Sequence, residues 1–144
     1  MTYADTSLLF SLYGTDSNSP KADAWRLGNP APLPFTAFHR LELRNALSLA
    51  VFQKRITSLE MQSAWQEVEN DLAAGLLVVR GGLCHRVLAD AEKSALNDTP
   101  IVGCRTLDCL HVTAAKLMGA TEFCTFDVRQ ATLAGRLGLT AVSP

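Results

Sequence analysis

The chain has 144 residues, 48% of them hydrophobic and 19% charged, with a formal net charge of −1. That is enough apolar material for one domain with its own core and too much for a disordered tail. A near-zero charge gives no global field to draw in nucleic acid, so any polyanion would have to be recruited by a local basic patch or by bound cations.

The longest apolar run, Ala73 to Val79, is interrupted by Gly75 and is far too short to span a bilayer. The opening residues Met1-Thr2-Tyr3-Ala4-Asp5 carry neither the basic nor the apolar part of a secretory signal, so the expected location is the cytoplasm. Cys84, Cys104, Cys109 and Cys124 show no CxxC spacing and no paired histidines. They are expected to be reduced, mostly buried thiols rather than a zinc site or a disulfide framework.

In chain order, Thr2–Ala4 reads as a short strand, and Leu8, Leu9, Leu12 and Tyr13 give the helical spacing of a segment starting at Thr6. The polar run Gly14–Pro20 is a turn before a helix through Trp25–Leu27. The prolines of Asn29–Pro34 forbid helix and lead to a second strand, expected at Phe35–Phe38. His39–Arg55 is the clearest helix. Thr57-Ser58-Leu59-Glu60 has the form of a capping box for a helix reaching Ala74, ended by Gly75. Leu76–Val79 reads as a strand buried in a parallel sheet. A helix over Leu83–Leu96 precedes the turn Asn97–Pro100, and Thr106 is placed to cap a helix over Leu107–Met118, stopped by Gly119. Glu122–Phe126 reads as a strand, Asp127 opens a helix to Leu137, and Leu139–Val142 is a final strand. Alternating strands and helices joined by short loops predict an α/β fold: one domain over residues 1–144, with a mainly parallel twisted sheet of about five strands and helices on both faces.

Ligands of open parallel sheets bind beyond the carboxyl ends of the strands. Asp5 and Asp127 follow predicted strands, Asp108 lies in a first helical turn, and Glu42 lies early in the helix after the second strand. Singly, each has an ordinary explanation: Asp5 and Asp127 as helix caps (Asp127 with Gln130 having the form of a capping box), Asp108 as a favourable charge at a helix start, Glu42 as a solvated residue. Together they are four carboxylates able to meet at one rim. Crowded carboxylates repel one another, and a hard divalent cation relieves that repulsion.

The segments Tyr3-Ala4-Asp5-Thr6-Ser7, Phe38-His39-Arg40-Leu41-Glu42-Leu43, Arg105-Thr106-Leu107-Asp108 and Thr125-Phe126-Asp127-Val128-Arg129, in this order across the chain, resemble the PIN-domain family and its VapC-type toxin ribonucleases. The resemblance implies a metal-dependent endoribonuclease, the toxin of a type II toxin–antitoxin pair, with Asp5, Glu42, Asp108 and Asp127 as catalytic metal-site residues. Glu42 would bind metal or orient the attacking water. Mg²⁺ or Mn²⁺, one or two ions, is the implied cofactor. Thr6 and Thr125 would support the carboxylates, and Arg105 and Arg129 are candidates to grip RNA phosphate.

Arg80, His85 and Arg86 form a weaker basic candidate, and His111, one turn after Asp108, is expected to be a half-buried, satisfied histidine. The implied partners are RNA, a cognate antitoxin and a second copy of the chain. The alternatives are a catalytically silent PIN-fold module that binds RNA or protein, a phosphatase of the haloacid-dehalogenase class, and a DNA nuclease. The phosphatase class wants Asp-x-Asp, where this chain has Asp5-Thr6-Ser7.

Overall fold

The computed structural model describes residues 1–81 and 84–144, Cys84 by its backbone. The strands and helices alternate in the order β1 (Thr2–Ala4), α1 (Thr6–Tyr13), α2 (Ser19–Gly28), β2 (Leu33–Phe35), α3 (Ala37–Phe52), α4 (Ser58–Ala73), β3 (Leu77–Val79), α5 (Cys84–Asn97), α6 (Thr99–Val102), α7 (Thr106–Leu117), β4 (Glu122–Cys124), α8 (Val128–Arg136) and β5 (Thr140–Val142). The predicted α/β class is observed, and every strand pair is parallel. Among the described residues the strands form two sheets, β1-β4-β5 and β2-β3.

Contacts group into two compact units. One comprises Met1–Asp5 with Gly81–Ser143, the other Thr6–Arg80 with Pro144. In the first, β4 is central, with Thr2 opposite Glu122, Ala4 opposite Cys124, and Cys124 opposite Val142. Its core is made by Tyr3, Phe123, Val112, Ala115, Leu133 and Ala134, all buried. Tyr3 stacks on Phe123 with ring centroids 5.5 Å apart, and its hydroxyl meets His111 Nδ1 at 2.7 Å. His111 is therefore fully buried rather than half-buried. In the second unit α1, α3 and α4 bury Leu8, Leu9, Leu43, Leu47 and Val68, and Arg44 lies over the Trp65 ring at 3.6 Å.

Several boundaries differ from the sequence expectation for local reasons. The second strand is Leu33–Phe35, not Phe35–Phe38, because Thr36 is the N-cap of α3 and draws Phe38 into the helix. Pro34 is tolerated because β2 pairs only with β3 in its sheet. Leu76–Val79 is not continuously buried: Leu77 is, but Val79 is 70% exposed at the end of a two-stranded sheet. The expected turn Asn97–Pro100 contains the start of the short helix α6, with Pro100 in its first turn and Gly103 closing it in the left-handed region at φ 73°. α7 begins at Thr106 itself, with Arg105 rather than Thr106 at the cap position. The expected helix start at Leu83 lies outside the described residues. Cys104, Cys109 and Cys124 are free and buried, as expected of structural thiols.

Candidate functional site

The candidate site is built on the carboxyl ends of β1 and β4, which lie side by side. The ladder runs one residue past each strand: Asp5 N–H donates to the Cys124 carbonyl and Thr125 N–H to the Val142 carbonyl, both at 3.0 Å. These bonds hold Asp5 and Thr125 at one level. The Asp5 side chain is fully buried. Thr125 Oγ1 donates to Asp5 Oδ2 at 2.8 Å and accepts the Asp127 backbone N–H at 2.9 Å. A single hydroxyl thus ties two of the sequence-selected aspartates together. Its proton is directed at Asp5, whose carboxylate oxygen accepts it.

Asp127 lies three residues beyond Cys124, because β4 ends earlier than the expected Phe126. It is the N-cap of α8: Oδ1 accepts the N–H groups of Arg129 at 2.8 Å and Gln130 at 3.1 Å. Its Oδ2 stands 3.6 Å from Arg129 Nη2. Only half of the expected capping box forms, since the Asp127 N–H goes to Thr125 and Gln130 Oε1 is buried with no hydrogen-bond partner.

Asp108, buried in the first turn of α7, accepts the Arg105 N–H at 2.7 Å through Oδ2. Cys104 connects the two helix starts. Its thiol reaches the Arg129 carbonyl at 3.6 Å. Desolvation first, then the neighbouring Cys109, Asp108 and Asp127, push that thiol up to about 11. Asp108 and Asp127 therefore both lie within electrostatic reach of one sulfur. Sequence reasoning gave Cys104 no place near the site, although its position just before the α7 cap and Cys109 at the fourth helical residue are those of a hydrophobic staple.

Asp5, Asp108 and Asp127 thus belong to the same unit, together with Thr125, Arg105 and Arg129. Glu42, half-buried on α3, and Thr6, the first residue of α1, belong to the other. Arg80 is exposed at the end of β3, and His85 and Arg86 are exposed on α5. Among the described residues no three His, Cys, Asp or Glu side chains stand close enough together to chelate an ion; Asp108 and Asp127 accept N–H groups at helix starts. The donor chemistry nevertheless fits a hard cation. All three candidates offer carboxylate oxygens, and a capping oxygen retains lone pairs beyond the one given to an N–H. Asp5 is fully buried, and the desolvation cost of a buried carboxylate is one that a cation offsets. The buried, unpartnered Gln130 Oε1 is an acceptor suited to a water of hydration. When bound, such an ion supplies a polarised phosphate and an acidified water. The chain's own contribution is to fix Asp5 through Thr125, to hold Asp127 and Asp108 at helix starts, and to present the Arg129 guanidinium beside Asp127.

No protein-family model and no curated protein sequence matches the chain. Solved structures do. A chain of FitAcB from Neisseria gonorrhoeae is 17% identical, with a TM-score of 0.64 over 98% of this chain and 96% of that one. A chain of VapBC2 from Rickettsia felis, solved bound to a DNA fragment from their promoter, is 12% identical, with a TM-score of 0.65 over 99% and 98%. PAE2754 from Pyrobaculum aerophilum is 16% identical, with a TM-score of 0.61 over 98% and 88%. At such identities the likeness establishes a shared α/β fold along the whole chain, and the chemistry has to be argued from the residues.

Proposed function

We propose that this chain is a PIN-domain protein of the VapC type: a metal-dependent endoribonuclease that acts as the toxin of a toxin–antitoxin pair. The observation that carries the proposal is the Thr125 hydroxyl joining Asp5 to Asp127 at the carboxyl ends of two adjacent parallel strands. The fold shared with chains of FitAcB and VapBC2 supports it. Asp5, Asp108 and Asp127 are assigned to Mg²⁺ or Mn²⁺. Glu42 and Thr6 remain assignments of the family resemblance. Arg129, beside Asp127, and Arg105, at the α7 cap, are assigned to the RNA phosphates. A hydrolysis of this kind moves one water across a phosphodiester bond, leaving one fragment with a phosphate and the other with a hydroxyl.

The test is cleavage of structured RNA by purified protein with Mn²⁺ or Mg²⁺, with EDTA as the control. EDTA-sensitive cutting that stops in Asp108→Asn supports the reading. Intact RNA under every metal condition, from protein shown to be folded, refutes it. A cognate antitoxin is expected to copurify from co-expression with the adjacent gene product and to suppress cutting. Recovery of this chain alone would remove the toxin role while leaving the nuclease. A homodimer is also proposed, because Leu88 and Leu96 on α5 and Ile101 on α6 are each more than half exposed. Light scattering that gives only monomer at tens of micromolar refutes it.

A further inference from the structure

A cavity of about 280 Å³ adjoins the candidate site and shares Thr125 and Asp127 with it. We propose that this cavity seats one nucleobase of the RNA next to the bond to be cut, an inference that rests on the nuclease reading above. Its walls are apolar where Phe126, Val128 and Ala131 line it, and Val128 is 78% exposed, apolar surface that a stacked base would cover. No lysine or arginine among the described residues lines it, and one carboxylate does, so a phosphate is disfavoured there. Its volume falls just under the range of about 300–1,000 Å³ typical of drug-sized ligands, which suits a flat heterocycle better than a whole nucleotide.

The polar groups define what edge of the base is read. Thr132 Oγ1 gives its hydrogen to the Val128 carbonyl at 2.8 Å, and Thr125 Oγ1 gives its hydrogen to Asp5. Both threonine hydroxyls have spent their donors. Thr132, exposed at the rim, is left as an acceptor for a base N–H. Ser143, also exposed, lines the pocket with a hydroxyl that can donate or accept. The pocket therefore favours bases that present N–H donors towards Thr132.

The experiment uses a short RNA carrying a single 2-aminopurine, whose fluorescence falls on stacking, mixed by stopped flow with wild-type protein, Ala131→Leu and Thr132→Val in Mn²⁺. Cleavage of randomised RNA is sequenced in parallel. Wild type is expected to quench the probe. Ala131→Leu, which fills the cavity, should abolish quenching, raise KM about tenfold or more with kcat little changed, and flatten the base preference at the cut. Thr132→Val, at an exposed position that tolerates the swap, should weaken preference for the favoured base by about threefold to tenfold, the value of one hydrogen bond. Equal quenching and an unchanged base profile in both variants would overturn the inference. Quenching lost in Ala131→Leu without RNA cleavage by wild type keeps the pocket and removes the nuclease; cleavage with unaltered quenching does the reverse. Neither cleavage nor quenching by wild type overturns both.

Discussion

Asp127 is claimed by two roles, helix cap and metal ligand, and Asp127→Ser separates them. Serine is as good an N-cap as aspartate, since its hydroxyl can accept the Arg129 and Gln130 N–H groups that Asp127 Oδ1 now takes at 2.8 and 3.1 Å. The additional loss is the 3.6 Å contact to Arg129, a partly exposed pair worth less than about 1 kcal/mol. Without metal, Asp127→Ser should therefore melt within a few degrees of wild type, whereas Asp127→Ala should lose about 1 kcal/mol through the missing cap. With metal the variants should part from wild type. Mn²⁺ at about one hundred times its Kd stabilises a native state that binds it by about 2.7 kcal/mol. For a chain of this size that raises Tm by about 8 °C, taking roughly 3 °C per kcal/mol. Both variants should lose most of this rise and should cut RNA slower by orders of magnitude. The assay pairs thermal melts with and without Mn²⁺ with cleavage of one RNA. Asp127→Ser that keeps the full Mn²⁺ shift and the wild-type rate would refute the metal role and leave Asp127 as a cap alone.

Asp108→Asn keeps an acceptor for the Arg105 N–H, now held at 2.7 Å, so it should cost at most about 1 kcal/mol while lowering Mn²⁺ affinity and cleavage; cleavage at the wild-type rate would count against the site. Tyr3→Phe removes the buried hydroxyl 2.7 Å from His111 and should cost about 1–2 kcal/mol in urea melts, an unchanged midpoint being the contrary result. Burial, ahead of neighbouring negative groups, raises the thiols of Cys104 to about 11 and Cys124 to about 12, above the ordinary thiol value near about 8.5. The unfolded chain ionises first, so their contribution is intact below that ordinary value and is lost as pH rises through the two folded values. Urea midpoints should fall over that alkaline window in wild type and fall less in Cys124→Ala.

What was legible in the sequence was what one turn of chain decides. Thr57 and Glu60 form the reciprocal cap read from their spacing, with Glu60 Oε2 accepting the Thr57 N–H at 2.6 Å. Gly75 and Gly119 both sit at φ 74°, the left-handed stop expected of them. Asp127 capping α8 was readable for the same reason. Strand limits were not, because aromatic residues, Phe38 and Phe126, continue past the last paired residues, Phe35 and Cys124, and pairing depends on residues distant in sequence. Asp98-Thr99-Pro100 suits a turn and a single helical turn equally, so α6 was missed. At the site, the identity of Asp5, Asp108 and Asp127 came from order and resemblance. Thr125 was named beside the carboxylates, but which two it joins was not readable, and Cys104 was not named at all, since both reach their partners only through the sheet and the helix starts.

The separation in sequence of Asp5 and Thr125 has a consequence for synthesis. β1 is made first, yet it pairs with β4, and all of Thr6–Arg80 belongs to the other unit. The Thr125–Asp5 hydrogen bond spans 120 residues. A ribosome must translate as far as Thr125 before β1 finds its neighbour, so partial chains released earlier contain Asp5 without the hydroxyl that positions it. On the proposed reading, a growing chain stays inactive until β4 has emerged, and an inhibitor synthesised alongside has that interval in which to accumulate.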